Sequence, residues 1–150
     1  MNRQVAAVEQ SETMVRQRSE NSSPAMQANA ENLPFEDNAF DTSLAILTAH
    51  HWSDQNEGLR KLRRVSCDRT VILTWDPAAI QFWLLDYFPE ILEIDQQIFP
   101  SIKQLELALG STTITTLPIP HDCTDGFLGA YWRRPTAYLD EHVRSAISTF

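Results

Sequence analysis

The chain has 150 residues, 43% of them hydrophobic and 21% charged, with a formal net charge of −8. That length suits one domain with a real core. The acidic balance disfavours nucleic acid as a partner, because binding a phosphate backbone needs clustered Lys and Arg. No apolar run reaches the roughly 20 residues of a membrane helix, and no signal peptide is expected. Cys67 and Cys123 are far apart and lack metal spacing, so they read as reduced thiols in a cytoplasmic protein.

Val5-Ala6-Ala7-Val8 predicts a short strand that ends at Glu9. Ser11 is placed to cap a helix over Glu12 to Arg18. Ser19 to Pro24 is a polar loop, Ala25 to Ala28 a weak strand, and Asn29-Ala30-Glu31-Asn32 follows it. Pro34 and the Glu36-Asp37-Asn38 cluster make a turn. Leu44 to Leu47 is apolar without alternation, the pattern of a strand covered on both faces, and the strand is expected over Thr42 to Thr48. Leu59, Leu62 and Val65 recur every three residues, with Arg60, Lys61, Arg63 and Arg64 between them; this is an amphipathic helix. Val71-Ile72-Leu73-Thr74-Trp75 is a second buried strand, expected over Arg69 to Trp75.

Beyond Pro77 the chain should turn helical through the aromatic stretch Ile80 to Phe88, which Pro89 interrupts or restarts. Another helix is expected over Ser101 to Leu109, stopped by Gly110. Thr112 to Leu117 is β-branched and predicts a strand, ended by Pro118 and Pro120. His121 to Gly126 is a loop, Phe127 to Trp132 a short helix or turn, and Tyr138 to Thr149 a closing helix. No internal repeat or low-complexity tract is present.

The spacing of strand, helix and strand between Thr42 and Trp75 predicts a right-handed βαβ crossover in a parallel sheet. Such sheets bind ligands where loops leave the carboxyl ends of the strands. The loop in that position is Thr48-Ala49-His50-His51-Trp52.

The segments LPFEDNAFD from Leu33, LTAHHW from Leu47, LRRV from Leu62 and VILTWDP from Val71 also carry a family likeness. In this order and spacing the chain resembles the class I S-adenosylmethionine-dependent methyltransferases, most of all the small-molecule branch with the ubiquinone and menaquinone methyltransferases. The resemblance implies an α/β, Rossmann-like, mostly parallel sheet with flanking helices, S-adenosylmethionine as cofactor and a small-molecule methyl acceptor. It also implies site residues. Glu9, directly after the first strand, would accept hydrogen bonds from both ribose hydroxyls, a task that suits the two oxygens of a carboxylate. Asn29 stands where the family usually has Asp to accept from the adenine amino group; as an uncharged acceptor it should bind more weakly. Ala30 would offer backbone and a small side chain to the adenine. Thr48 and its neighbours would face the methionine half and the acceptor, and His51, ahead of His50, would be a general base.

Each of these has a plainer alternative. Glu9 can be a solvated acid at a helix N-terminus, Asn29 a turn former, and His50 or His51 a structural histidine bonded to backbone. The aromatic stretch Ile80 to Phe88 reads as core rather than as an acceptor pocket wall, and Tyr131-Trp132-Arg133-Arg134 as a solvated turn rather than a carboxylate clamp. A metal site is disfavoured for want of a third ligand at a fixed local spacing.

One expected feature is missing. A fold of this kind places a glycine-rich turn after its first strand, because a Cβ there would collide with the ligand. The four glycines are Gly58, Gly110, Gly126 and Gly129, none of them ahead of Glu9. The chain therefore reads as an incomplete Rossmann-like domain that begins at the family's second strand and closes early. Its sheet is expected to fall into two pairs, with self-association through an open edge. Two rivals to enzyme activity follow: an inactive fragment, and a module that pairs its edge with another chain.

Overall fold

A computed structural model of the chain describes residues 4–79, 81–124 and 126–147. The chain divides into two compact units, Met1–Trp75 with Phe99–Thr112, and Asp76–Ile98 with Thr113–Phe150.

In the first unit, β1 (Ala7–Glu9) pairs in parallel with β2 (Ala25–Gln27), Ala7 opposite Ala25 and Glu9 opposite Gln27. Helix α1 (Glu12–Gln17) connects them, and Ser11 caps it by accepting the Met14 N–H at 3.3 Å. The second pair is β3 (Phe40–Ile46) and β4 (Ser66–Leu73), again parallel, with Leu44 opposite Val71 and Ile46 opposite Leu73. Among the described residues these are two separate two-stranded sheets.

Helix α2 (Gln55–Val65) is the crossover of the second pair. Asp54 caps it, its carboxylate accepting the Glu57 N–H at 3.0 Å. The three-residue spacing of Leu59, Leu62 and Val65 puts all three on one face, and all three are buried. Leu62 and Val65 close on Leu33 and Ala45, with Val8, Phe35, Phe40, Trp52 and Ile72 packed around them. Burying each leucine contributes about 1.5–3 kcal/mol. Helix α3 (Glu90–Ile98) belongs to the second unit. Helix α4 (Ile102–Leu109) returns to the first unit, capped by Ser101 and ended at Gly110 with φ 87°. Its Gln104 amide donates to Gln55 at 3.3 Å and Asn56 at 3.1 Å on α2, and Arg63 of α2 donates to the Leu109 carbonyl.

Several expectations need correction. Strand β3 is covered on one face only: Ser43 and Ala45 are buried, whereas Leu44 is 57% and Ile46 52% exposed. The pleat forces this alternation when a single helix covers the sheet, and Val71, opposite Leu44, is exposed with it. The buried Ser43 hydroxyl is satisfied by Ser66 at 3.1 Å and Thr70 at 3.2 Å. Thr112 to Leu117 is not a strand. Its β-branched residues favour extension, but a strand needs a neighbour to close its ladder, and Ile114 and Leu117 are exposed instead. The helix expected over Ile80 to Phe88 is a single 3-10 turn, Trp83–Asp86, and α3 starts anew after Pro89; Ile80 lies outside the described residues.

The second unit closes on Leu84, Ile91, Tyr138 and Ile147, with Phe82, Trp83 and Tyr131 packed against them. Phe82 to Leu85 of the aromatic stretch therefore serve the core, whereas Tyr87 and Phe88 are exposed. Trp83 donates to the Trp132 carbonyl at 3.0 Å, Trp132 to that of Ile119 at 3.1 Å, and the Tyr138 hydroxyl to that of Leu128. The turn foreseen near Phe127 is a 3-10 turn, Leu128–Tyr131. The closing helix is shorter than expected. A 3-10 turn covers Pro135–Leu139, and α5 (Glu141–Ser145) starts where Asp140 accepts the His142 N–H at 2.9 Å; Thr149 lies outside the described residues.

Arg64 fixes the loop that leads into β3. Its guanidinium donates to the carbonyls of Phe35 at 2.7 Å and Leu33 at 3.0 Å and to the Asp37 carboxylate at 2.8 Å. The Arg64 carbonyl accepts the Asn38 N–H at 2.8 Å, and Asn38 takes the left-handed φ of 56° that asparagine tolerates. A lysine has no planar fork to span three acceptors. Arg64→Lys should therefore lower stability by about 2 kcal/mol, read as an earlier urea midpoint with an unchanged slope. An unchanged midpoint would show that the loop holds without the clamp.

Candidate functional site

The site is assembled where parallel strands end. Strand β1 stops at Glu9, which is half-buried, and one carboxylate oxygen accepts the Ser11 N–H at 2.9 Å. The Glu9 carbonyl takes the Ala28 N–H at 3.2 Å, so the exit of β2 is tied to that of β1. Two residues on, Asn29 opens the 3-10 turn Ala30–Asn32 through its carbonyl, which accepts the Asn32 N–H at 3.1 Å. The Asn29 side chain is exposed and makes no capping bond. Glu9 and the pair Asn29–Ala30 thus leave neighbouring strands at the same end.

The second wall follows β3. Leu47 adopts φ 44°, a left-handed conformation that costs a leucine roughly 1 kcal/mol, while its N–H is held by the Leu73 carbonyl at 2.8 Å. This kink turns the chain off the sheet into Thr48 and the 3-10 turn Ala49–His51, where Ala49 is buried. The His50 ring stacks on His51, centroids 3.9 Å apart, and on Phe99 at 4.3 Å. Its Nδ1 is buried and has no hydrogen-bond partner among the described residues. Burial, and then the neighbouring His51, push the His50 imidazolium down to a pKa of about 4. His51 is exposed. Trp52 lies over Gly58, where a Cβ would sit 2.5 Å from the indole ring, so this helical glycine makes room for the loop.

A hydrogen bond ties the turn after Asn29 to the head of α2, where the histidine loop ends. The Glu31 carboxylate, in the turn after Asn29, accepts the Asp54 N–H at 2.9 Å at the head of α2. Sequence reasoning missed this residue. The local pattern Asp54-x-x-Glu57 points instead to Glu57 as the acceptor for that N–H, as in a capping box. In the structure Glu57 pairs with Arg60 at 2.5 Å and Lys61 at 3.1 Å. Among the described residues no group of three His, Cys, Asp or Glu side chains is placed to hold a metal ion.

Residues 1–73 match the family model described as a methyltransferase domain, a span that includes Glu9, Asn29, Ala30, Thr48, His50 and His51. A segment of 39 residues is 49% identical to the uncharacterised protein YafE of Escherichia coli K12, covering 26% of this chain and 19% of that protein. A crystal structure from Anabaena variabilis, assigned as a methyltransferase of an antibiotic biosynthesis pathway, is similar over 98% of this chain at 33% identity and a TM-score of 0.81. This chain covers 62% of that one. An S-adenosylmethionine-dependent methyltransferase of Thermotoga maritima and the YcgJ protein of Bacillus subtilis share the fold at 20% identity and a TM-score of 0.52. They match 68% and 69% of this chain, which spans 51% and 49% of their lengths.

The half-buried His50 imidazole has a consequence for stability. Unfolded, His50 takes up a proton near pH 6.5; folded, it refuses one until about pH 4. The unfolded state therefore binds more protons across that window, and stability should fall as pH drops from 6.5 towards 4. Thermal melts of His50→Phe, which keeps the stack on Phe99 but cannot be protonated, should show a shallower loss over this range than the parent. Parallel profiles would mean that His50 is not desolvated.

Proposed function

We propose that the chain is a class I S-adenosylmethionine-dependent methyltransferase, as the domain model matched by residues 1–73 and the likeness to the Anabaena structure support, and that its activity is methyl transfer from S-adenosylmethionine to a small molecule. The observation that supports this reading is that Glu9, Asn29–Ala30 and Thr48–His51 each follow the carboxyl end of a parallel strand, with Glu31, in the turn after Asn29, bonded to Asp54 at the head of α2.

The residues present fit the adenosine half of the cofactor. Glu9 offers a carboxylate at a strand end, already oriented by the Ser11 N–H, for the two ribose hydroxyls. Asn29 offers a side-chain carbonyl not committed to capping, for the adenine amino group. Ala30 adds a small side chain beside the ring, and Thr48 faces the methionine half. When bound, the cofactor supplies an electrophilic methyl group on a sulfonium, so the protein's task is chiefly to position the reactants. A proton must still leave a hydroxyl or amine acceptor. His50 is desolvated and holds a proton poorly, whereas His51 is exposed to an incoming acceptor, so the base role goes to His51. We place the reaction in the cytoplasm, in keeping with the exposed thiol of Cys67.

Two experiments test the reading. In a nuclear magnetic resonance titration with S-adenosylhomocysteine, amide signals of Glu9, Asn29 and Ala30 should shift. Glu9→Ala should weaken binding at least tenfold, since two charge-assisted hydrogen bonds of about 1.5–3 kcal/mol each are lost before water compensates. No shift at millimolar ligand would remove the cofactor from this account. With an acceptor found by screening, His51→Gln should lower turnover by roughly 10²-fold and leave cofactor affinity intact. An equal loss of affinity would make His51 structural.

A further inference from the structure

We propose that Glu31 is a positioning residue, which sets the histidine loop against the Asn29–Ala30 turn so that a ligand seated on one wall orders the other. The inference rests on the reading of the turn as a cofactor wall. It starts from a substitution of partners. Asp54, at the N-cap of α2, followed three residues later by Glu57, has the pattern of a local capping box, in which the third residue's carboxylate would accept the N-cap N–H. Half of that box is formed, for Asp54 accepts the Glu57 N–H at 3.0 Å. The other half is not: the Asp54 N–H goes to Glu31, 23 residues upstream, at 2.9 Å. Glu57 spends its carboxylate on Arg60 and Lys61 instead.

A local bond would have capped the helix equally well, so the long-range bond does something that capping alone does not require. Its two ends carry the two walls. Glu31 is the middle residue of the turn Ala30–Asn32, two positions after Asn29. Asp54 follows Trp52, and Trp52 closes the loop of His50 and His51 with its N–H on Ala49 at 3.3 Å. The bond lies at the surface, but its acceptor is a carboxylate, and this charge assistance makes it stronger and more directional than a neutral bond in the same place.

The test compares Glu31→Ala and Glu31→Gln with the parent chain. In Glu31→Ala the Glu57 carboxylate can swing back onto the Asp54 N–H, so the melting temperature should move by only a few degrees. S-Adenosylhomocysteine should then bind about tenfold more weakly. Its signature should also split: Asn29 and Ala30 amides still respond, while the shifts that the parent transmits to His51 and Trp52 disappear. Glu31→Gln keeps an acceptor oxygen and should restore transmission. A Glu31→Ala chain that transmits like the parent overturns the proposal, and so does one that no longer folds, since Glu31 would then be structural. A parent chain that shows no response to the ligand overturns the cofactor reading itself, a separate result.

Discussion

Parallel pairing is the constraint from which the first unit follows. Strands β3 and β4 run the same way, so no tight turn can join them, and the chain must return across the sheet through Leu47–Val65. A crossover of that length is stable only if it buries a face, which α2 does through Leu59, Leu62 and Val65. The same requirement puts the head of α2 beside the carboxyl end of β3. The residues between that end and the helix run from Leu47 to Asp54 and include Thr48, Ala49, His50, His51 and Trp52. The loop that carries the candidate chemistry is thus the segment that the pairing leaves least choice about placing.

The charged face of α2 is not uniform. Arg60 and Lys61 make surface pairs with Glu57, and such pairs contribute little. Arg63 and Arg64 reach carbonyl groups of other segments, Leu109 in one case and Leu33 and Phe35 in the other. The carbonyls of Leu33 and Phe35 are partly withdrawn from water, so the Arg64 bonds fix a loop that apolar contacts alone would leave loose, whereas the Arg63 bond to Leu109 lies at the surface. Four cations that look alike in sequence therefore do two different things.

Local signals were legible and long-range ones were not. The cap at Ser11, the stop at Gly110 and the burial of Leu59, Leu62 and Val65 depend on neighbours within a turn or two. The division into two strand pairs was also foreseen, from the missing glycine turn. Thr112 to Leu117 misled because β-propensity describes a residue, whereas a strand is a property of a pair. Leu44 and Ile46 misled because an unbroken apolar run does not say how many of its faces have a partner. At the site, the positions of Glu9, Asn29 and His51 at strand ends were readable. The unlike environments of His50 and His51 were not, since they depend on Phe99, far along the chain. Glu31 was invisible because Glu57 is the nearer and better-known answer.

The order of the two units along the chain bears on how a ribosome releases them. The first unit is interrupted: it runs to Trp75, and its helix α4 belongs to Phe99–Thr112. The glutamine contacts of Gln104 with Gln55 and Asn56, and the Arg63 bond to Leu109, must wait until that helix has emerged. Meanwhile α3, which belongs to the other unit, is already outside with its partners Tyr138 and Ile147 still unmade. Vectorial synthesis, which usually completes one folding unit before the next, here leaves both open at once. Neither unit can be obtained by cutting the chain at a single point, and while residues 76–112 are being added both have apolar side chains that still await partners.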